Sequence, residues 1–266
     1  MLEKINLKKK LSREEFKHVL PGLQTRLYDL EKACWDNGVP SIVVFEGWDA
    51  SGKGTTIAAL TQRLDPRGFK LYPITGPRTY EQQRPWLWRF WLKVPNRGEM
   101  VIFDHSWYGR VLEERVEGAI PERSWRQAYR DIAEFERMLA DDGTAILKFF
   151  LHISRKEQEK RFRLIESDPL EAWRVTPNDW TRHKKYQQYL EAYEEMLELT
   201  ESEYAPWTIV EAKSKWHTRR KVFETIIATL EKRLGDKAPP AIISAEESSK
   251  DAELRAAMES LGGNQT

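Results

Sequence analysis

The stretch Phe45-Glu-Gly47-Trp-Asp49-Ala50-Ser51-Gly52-Lys53-Gly54-Thr55-Thr56 constrains this chain more than any other. A β-branched apolar run, Ser41-Ile-Val-Val-Phe45, leads into it, and a helical pattern leads out over 54–64. A strand that turns through glycines into a helix is the setting of a phosphate-binding loop. Gly47 and Gly52 permit backbone conformations that aim several N–H groups at one anion, and the helix start adds the positive end of its dipole. Lys53 supplies a point charge that can follow a moving phosphoryl group. The usual pattern puts a hydroxyl directly after the lysine, whereas here Gly54 intervenes and Thr55 and Thr56 follow. Asp49 compensates: a carboxylate inside the loop can hold Mg²⁺ or take a proton from an acceptor phosphate. That favours kinase chemistry on a small phosphorylated substrate over a guanine-nucleotide switch, and no Asn-Lys-x-Asp sequence occurs to read guanine.

Four more apolar runs resemble the first: Phe69–Ile74, Val101–Phe103, Ala145–Leu151 and Trp207–Val210. None alternates, which suits parallel strands covered on both faces. Helical patterns at 81–93, 122–140, 155–167, 179–203 and 217–234 lie between and after them. Strands alternating with helices of this length predict an α/β three-layer sandwich with a mostly parallel central sheet. Ser12-Arg-Glu-Glu15 has the form of a helix-starting capping box, Leu23, Leu27 and Leu30 continue a helical face, and Pro21 is expected to break or kink it. Three segments follow: an arm and outer helix over 1–40, a core over 41–235, and a tail over 236–266. Residues 1–11 read as a polar, basic arm with little to bury, and the Ala-, Ser- and Glu-rich tail as weakly helical or disordered.

A second carboxylate completes the chemical argument. The run Val101-Ile-Phe-Asp104 ends in aspartate, and open α/β sheets bind ligands at the carboxyl ends of their strands. Asp104 and the loop are therefore predicted to face one crevice, with Asp49 and Asp104 as the metal ligands. His105 reads as a hydrogen-bonding neighbour, since no second histidine follows at helical spacing to share a metal. Arg110 and Arg115 are candidate phosphate ligands, because a guanidinium presents a fork of donors to phosphate oxygens. Residues 84–93 mix Trp86, Trp88, Phe90 and Trp91 with cations; packing explains the aromatics, while Arg78 and Arg84 are the better ligand candidates. Over 155–185 nine Lys and Arg face six acids, and Asp168-Pro169 interrupts the helix. Helix, break and helix with cations on both sides is how a lid over phosphates would be written.

Composition supplies exclusions. With 43 basic and 42 acidic residues among 266, the net charge of +1 lacks the strong basicity of a typical nucleic-acid binder. No apolar run reaches the roughly 20 residues that span a bilayer, and the first residues lack the apolar core of a signal peptide, so a cytoplasmic location is expected. The single cysteine, Cys34, excludes an intramolecular disulfide framework.

Taken in order, Phe45–Gly54, Pro85-Trp-Leu-Trp-Arg-Phe-Trp91, Phe103-Asp-His-Ser-Trp-Tyr-Gly-Arg110, Glu114-Arg-Val116 and Asp168-Pro-Leu170 resemble the motifs of the polyphosphate kinase 2 family, across roughly residues 11–234. These enzymes pass phosphoryl groups between inorganic polyphosphate and nucleotides. The resemblance implies a P-loop kinase-like core with a helical lid at about 155–185, dependence on Mg²⁺ (with Mn²⁺ as a substitute), and homo-oligomers. It implies polyphosphate and nucleotides as partners, neither nucleic acid nor membrane, and phosphorylation of AMP to ADP, with ADP to ATP as a possible further step. Carried onto this chain, it places Asp49, Lys53, Asp104 and Arg161 at the chemistry. Around them as binding residues it sets Gly47, Ala50, Ser51, Gly52, Gly54, Thr55, Arg78, Arg84, His105, Arg110, Glu114, Arg115, Arg163 and Arg174. It departs from the family at His105, where an arginine is usual. Two other readings stay open: an ATP-dependent nucleoside monophosphate kinase, indifferent to polyphosphate, and a phosphate-binding regulatory protein that releases its ligand unchanged.

Overall fold

A computed structural model describes residues 1–240; of the tail expected over 236–266, residues 241–266 lie outside the described residues. Five strands form one sheet: β1 (Ser41–Gly47), β2 (Phe69–Pro73), β3 (Met100–Asp104), β4 (Ala145–His152) and β5 (Trp207–Glu211). All neighbours are parallel, in the order β2-β3-β1-β4-β5, so the sheet is wholly parallel where a mostly parallel one was expected. Every residue of β1 and β4 is buried, as unalternating apolar runs require of central strands. The edge strand β2 is half exposed.

The helices are α1 (Arg13–Asn37), α2 (Lys53–Thr61), α3 (Thr79–Gln82), α4 (Trp88–Trp91), α5 (Glu113–Val116), α6 (Glu122–Asp141), α7 (Arg155–Glu166), α8 (Pro177–Lys184), α9 (Tyr186–Leu199) and α10 (Lys215–Leu234). Helix α10 packs on α1, α2, β4 and β5. Helices α6 and α9 take the opposite side of β4, where Lys148 meets Glu136 and Phe150 meets Tyr193 at 4.8 Å between ring centroids. The result is the three-layer sandwich foreseen in the strand–helix alternation.

Several local expectations need correcting. Pro21 neither breaks nor ends α1. It lies on the exposed face, where water can satisfy the carbonyl left without a donor. The helix expected over 81–93 is two four-residue helices, α3 and α4, because Pro85 disfavours helical geometry at Arg84. The one expected over 179–203 begins earlier, at Pro177 behind the capping box of Thr176 and Asp179, and divides at Lys185 into α8 and α9. The arm is also less polar in its role than its composition: Leu2 is fully buried in the core and Lys9 pairs with Glu211 at 2.8 Å. The capping box at Ser12 and Glu15 forms as read.

Candidate functional site

The loop between β1 and α2 occupies the carboxyl end of the sheet beside the end of β3. Phe45 and Asp104 are register partners, and the His105 N–H donates to the Phe45 carbonyl at 3.1 Å. Gly47 has φ 128°, and a Cβ there would sit 2.3 Å from the Leu151 carbonyl oxygen, so no other residue can turn the chain at that point. Two non-glycine residues adopt left-handed backbone, Ala50 at φ 57° and His105 at φ 60°. Both flank the crevice, and strained backbone of this kind persists where the surroundings over-determine it.

The hydrogen bonds of the loop are strongly one-sided. The Gly47 and Trp48 carbonyls accept from Lys53 Nζ at 2.7 and 3.2 Å. The Asp49 carbonyl accepts from Gln158 Nε2 at 3.2 Å, and those of Ala50 and Ser51 accept from Arg161 Nη1 at 2.9 and 3.1 Å. The Gly52 carbonyl accepts from the Thr56 N–H and from both threonine hydroxyls. Among the described residues, by contrast, the N–H groups of Asp49, Ala50, Gly52, Lys53, Gly54 and Thr55 make no hydrogen bond. A loop with its acceptors covered and its donors free, at the start of a helix, is built to receive an anion.

These residues border a cavity of about 610 Å³ lined by Asp49 to Thr56, Asp104, His105, Arg161, Leu164, Ile165, Arg174, Ala212, Lys213, Lys215 and Thr218. The two carboxylates named from the sequence therefore do share one crevice. Asp104 Oδ1 is buried without a partner, which is an acceptor left for a ligand. Asp49 Oδ2 lies 3.0 Å from Arg182 Nε. Among the described residues no three metal-binding side chains converge. A pair of hard oxygen donors still fits a magnesium-like ion, which takes one or two carboxylates and completes its shell with water and substrate phosphates.

His105 is engaged through Nδ1 by carboxylates. Its Nδ1 lies 3.3 Å from Glu46 Oε2 and 3.7 Å from Glu113 Oε1. Burial and the charge of Lys53 oppose its protonation, but the two carboxylates prevail and hold its pKa above the ordinary value. Glu46 also accepts from the Ser106 hydroxyl at 2.8 Å, so one buried carboxylate fastens the end of β1 to the turn that follows β3.

The remaining expectations divide. Arg174 borders the cavity and pairs with Glu171. Arg78, Arg84, Arg110, Glu114, Arg115 and Arg163 do not border it. Arg84 lies over the Trp88 ring at 4.5 Å, and Arg78 caps α3, its backbone N–H donating to Glu81 Oε2 at 2.8 Å. Arg110 pairs with Glu114 at 2.6 Å, and Arg163 with Glu159 at 2.8 Å. Arg115 is held by Glu195 at 2.7 Å, by Tyr129 at 2.8 Å and over Trp125 at 4.1 Å. Arg84, Arg110 and Arg163 each meet a ring or an acid four residues away, a spacing the sequence already shows, whereas the partners of Arg115 come from α6 and α9 and needed the fold. Lys213, Lys215 and Thr218 were missed, although they follow β5 just as Asp104 ends β3, and the strand-end rule applies equally to them. Gln158 and Arg182 reach the loop only through folding and carried no signal.

The break after α7 falls where Asp168-Pro169 placed it, and a short helical turn at Ala172–Arg174 precedes α8. No helix among the described residues is long and apolar enough to cross a membrane.

Comparison with known proteins gives consistent matches. The family model described as Polyphosphate kinase 2 matches residues 10–238. A polyphosphate:AMP phosphotransferase from Pseudomonas syringae pv. tomato is 41% identical over 232 residues, which are 87% of this chain and 47% of the relative. The chain thus spans about half the length of the first such curated relatives. An AMP/ADP-polyphosphate phosphotransferase from Meiothermus ruber is 39% identical over 213 residues, 80% of each chain. The crystal structure of Polyphosphate Kinase 2 from Arthrobacter aurescens TC1 superposes with a TM-score of 0.85 at 27% identity, covering 96% of this chain and 93% of that one.

Proposed function

The chain belongs to the polyphosphate kinase 2 family, and from that membership we propose that it transfers phosphoryl groups between inorganic polyphosphate and a nucleotide, AMP to ADP and onward from ADP to ATP. The observation that carries this reading is the loop whose carbonyls are covered while six N–H groups stay free, in one cavity with Asp104. Those donors and Lys53 hold the terminal phosphates of the donor, and Thr55 and Ser51 lie beside them. Lys213, Lys215 and Arg174, on the rim, supply charge for the rest of a long polyanion.

Asp49 and Asp104 would hold the divalent ion, Mg²⁺ or Mn²⁺, which would supply positive charge against the phosphates. The protein need form no covalent bond: it aligns donor and acceptor phosphates, and fixed donors stabilise charge in the transition state. Helices α7 and α8 form the lid, and Leu164 and Ile165 bring apolar surface to the cavity edge, which excludes water from the transfer.

The deciding experiment is incubation with polyphosphate, a divalent ion and either AMP or ADP, reading nucleotide products by chromatography. A more phosphorylated nucleotide is the expected result. No product from any acceptor overturns the proposal. Product made from ATP plus AMP with polyphosphate inert identifies a nucleoside monophosphate kinase instead.

A further inference from the structure

The family resemblance sets Arg161 at the chemistry as a lid arginine on the polyphosphate chain, yet its guanidinium has no donor to give. Nε donates to Glu157 Oε1 at 2.9 Å. Nη1 donates to the carbonyls of Ala50 and Ser51 at 2.9 and 3.1 Å, and Nη2 to those of Ala212 and Lys213 at 2.7 and 3.1 Å. A guanidinium carries five N–H donors, and five acceptors here take them all. Four are backbone carbonyls from two different walls of the cavity: the phosphate loop, and the turn between β5 and α10 on which Lys213 and Lys215 stand.

Gln158, one helical turn earlier on α7 and 2% exposed, works beside it. Its Nε2 donates to the Asp49 carbonyl, and its Oε1 lies 2.8 Å from His183 Nδ1 on α8, which fixes the orientation of the amide. Together the two side chains hold the three consecutive carbonyls of Asp49, Ala50 and Ser51 on the α7 side. The planarity of each peptide unit then turns the N–H groups of Ala50 and Gly52 away from α7.

We propose that Arg161 and Gln158 are positioning residues, which set the direction of the loop N–H groups and lock the loop to the β5–α10 turn, and that neither touches the phosphate chain. The inference rests on the loop being the phosphoryl-binding site. It differs from direct contact in what each substitution does. A lysine keeps the charge of Arg161 but gathers its donors on one nitrogen, which cannot bridge two walls.

The test compares wild type, Arg161→Ala, Arg161→Lys and Gln158→Ala in two measurements. The first is hydrogen exchange in the ligand-free protein at the bonded amides of Ser51, Thr56 and Ala212, with β4 amides as the control for global opening. The second is tripolyphosphate affinity as a function of salt. Positioning predicts faster exchange at Ser51 and Thr56 in all three variants, with Ala212 joining them when Arg161 is changed, while β4 stays protected. It predicts an affinity loss of tenfold or more in each variant, including the neutral Gln158→Ala, and a salt dependence as steep as in the wild type. Unchanged exchange at Ser51 in Arg161→Ala overturns the proposal. So does recovery of affinity in Arg161→Lys, or a shallower salt dependence in Arg161→Ala, both of which mark a direct contact. Should Arg161→Ala not fold, Arg161→Lys and Gln158→Ala decide the matter. The exchange result stands alone: if wild type binds no tripolyphosphate, the proposed function fails while the clamp is still judged.

Discussion

Lys53 is a buried cation whose Nζ donates to the Gly47 and Trp48 carbonyls, two groups of its own loop. A single ammonium therefore serves both loop geometry and local charge, at the start of α2 where the helix dipole already favours anions. Replacing it removes a fixed donor whose worth is greatest in a dry, low-dielectric site. Lys53→Ala is expected to lower the turnover number at least about 100-fold, the range typical of losing one such donor, with the fold retained by circular dichroism. A protein that merely bound phosphate would show weaker affinity and no turnover to lose. His105 shows how the partners of one position can escape a reading of the sequence. Its Nδ1 lies beside the carboxylates of Glu46 and Glu113, which stand in other elements.

Among the elements, β4 carries an exception to its own apolar pattern. Lys148 is wholly buried on the face toward α6. Its Nζ donates to Glu136 Oε2 and to the Thr200 carbonyl, each at 2.8 Å, and to the Tyr108 hydroxyl at 3.0 Å. Glu136 in turn accepts from Trp107 Nε1 at 3.0 Å and from the Tyr108 hydroxyl at 2.6 Å. The pair thereby fastens α6 and the 107–110 turn to the sheet, and that turn follows directly on Asp104, His105 and Ser106. Burial lowers the pKa of Lys148, while the adjacent carboxylate acts to keep its charge. Lys148→Ala would leave Glu136 buried without its counter-ion, a situation that costs about 3–5 kcal/mol. Urea unfolding of the single variant should register that loss, and Lys148→Met combined with Glu136→Leu should recover the part due to the unpaired charge. Equal destabilisation in the double variant would show that the lost hydrogen bonds of Trp107, Tyr108 and Thr200, rather than the unpaired charge, carry the burden.

At the scale of the whole molecule, stability responds to pH through Glu31. Its carboxyl sits between α1 and the turn before β2, where Oε2 accepts from the Asp65 N–H at 2.7 Å and Oε1 is buried without a partner. Burial pushes its pKa up from 4.5 to about 7, against the opposing pull of the Asp65 bond. A raised acid pKa means that the folded state holds the proton more tightly than the unfolded one. Its contribution is therefore complete below pH 4.5, declines as pH rises, and is gone above about 7. The natural chain should lose on the order of 3 kcal/mol between these limits relative to Glu31→Gln, whose amide cannot ionise. Unfolding free energies at about pH 5 and pH 7.5 check this, and parallel pH profiles for the two proteins would exclude Glu31 as the source.

The strands, their parallel pairing and the two carboxylates at the crevice could be read from the chain alone, because each depends on local pattern: β-branched runs, glycines at a turn, an aspartate where a strand ends. The order β2-β3-β1-β4-β5 and the identity of the side chains behind the loop could not. Gln158, Arg161 and Arg182 lie more than a hundred residues from the loop they touch, and a long polar side chain on a helix carries no mark of which carbonyl or carboxylate it will meet. The same holds for Arg115, whose acid is Glu195, while Arg110 and Arg163 pair with acids four residues away at a spacing the sequence already shows. Backbone conformation follows from covalent geometry near each residue, so sequence determines it locally. The partner of a guanidinium depends on distances across the packed molecule, and only the tertiary structure sets those.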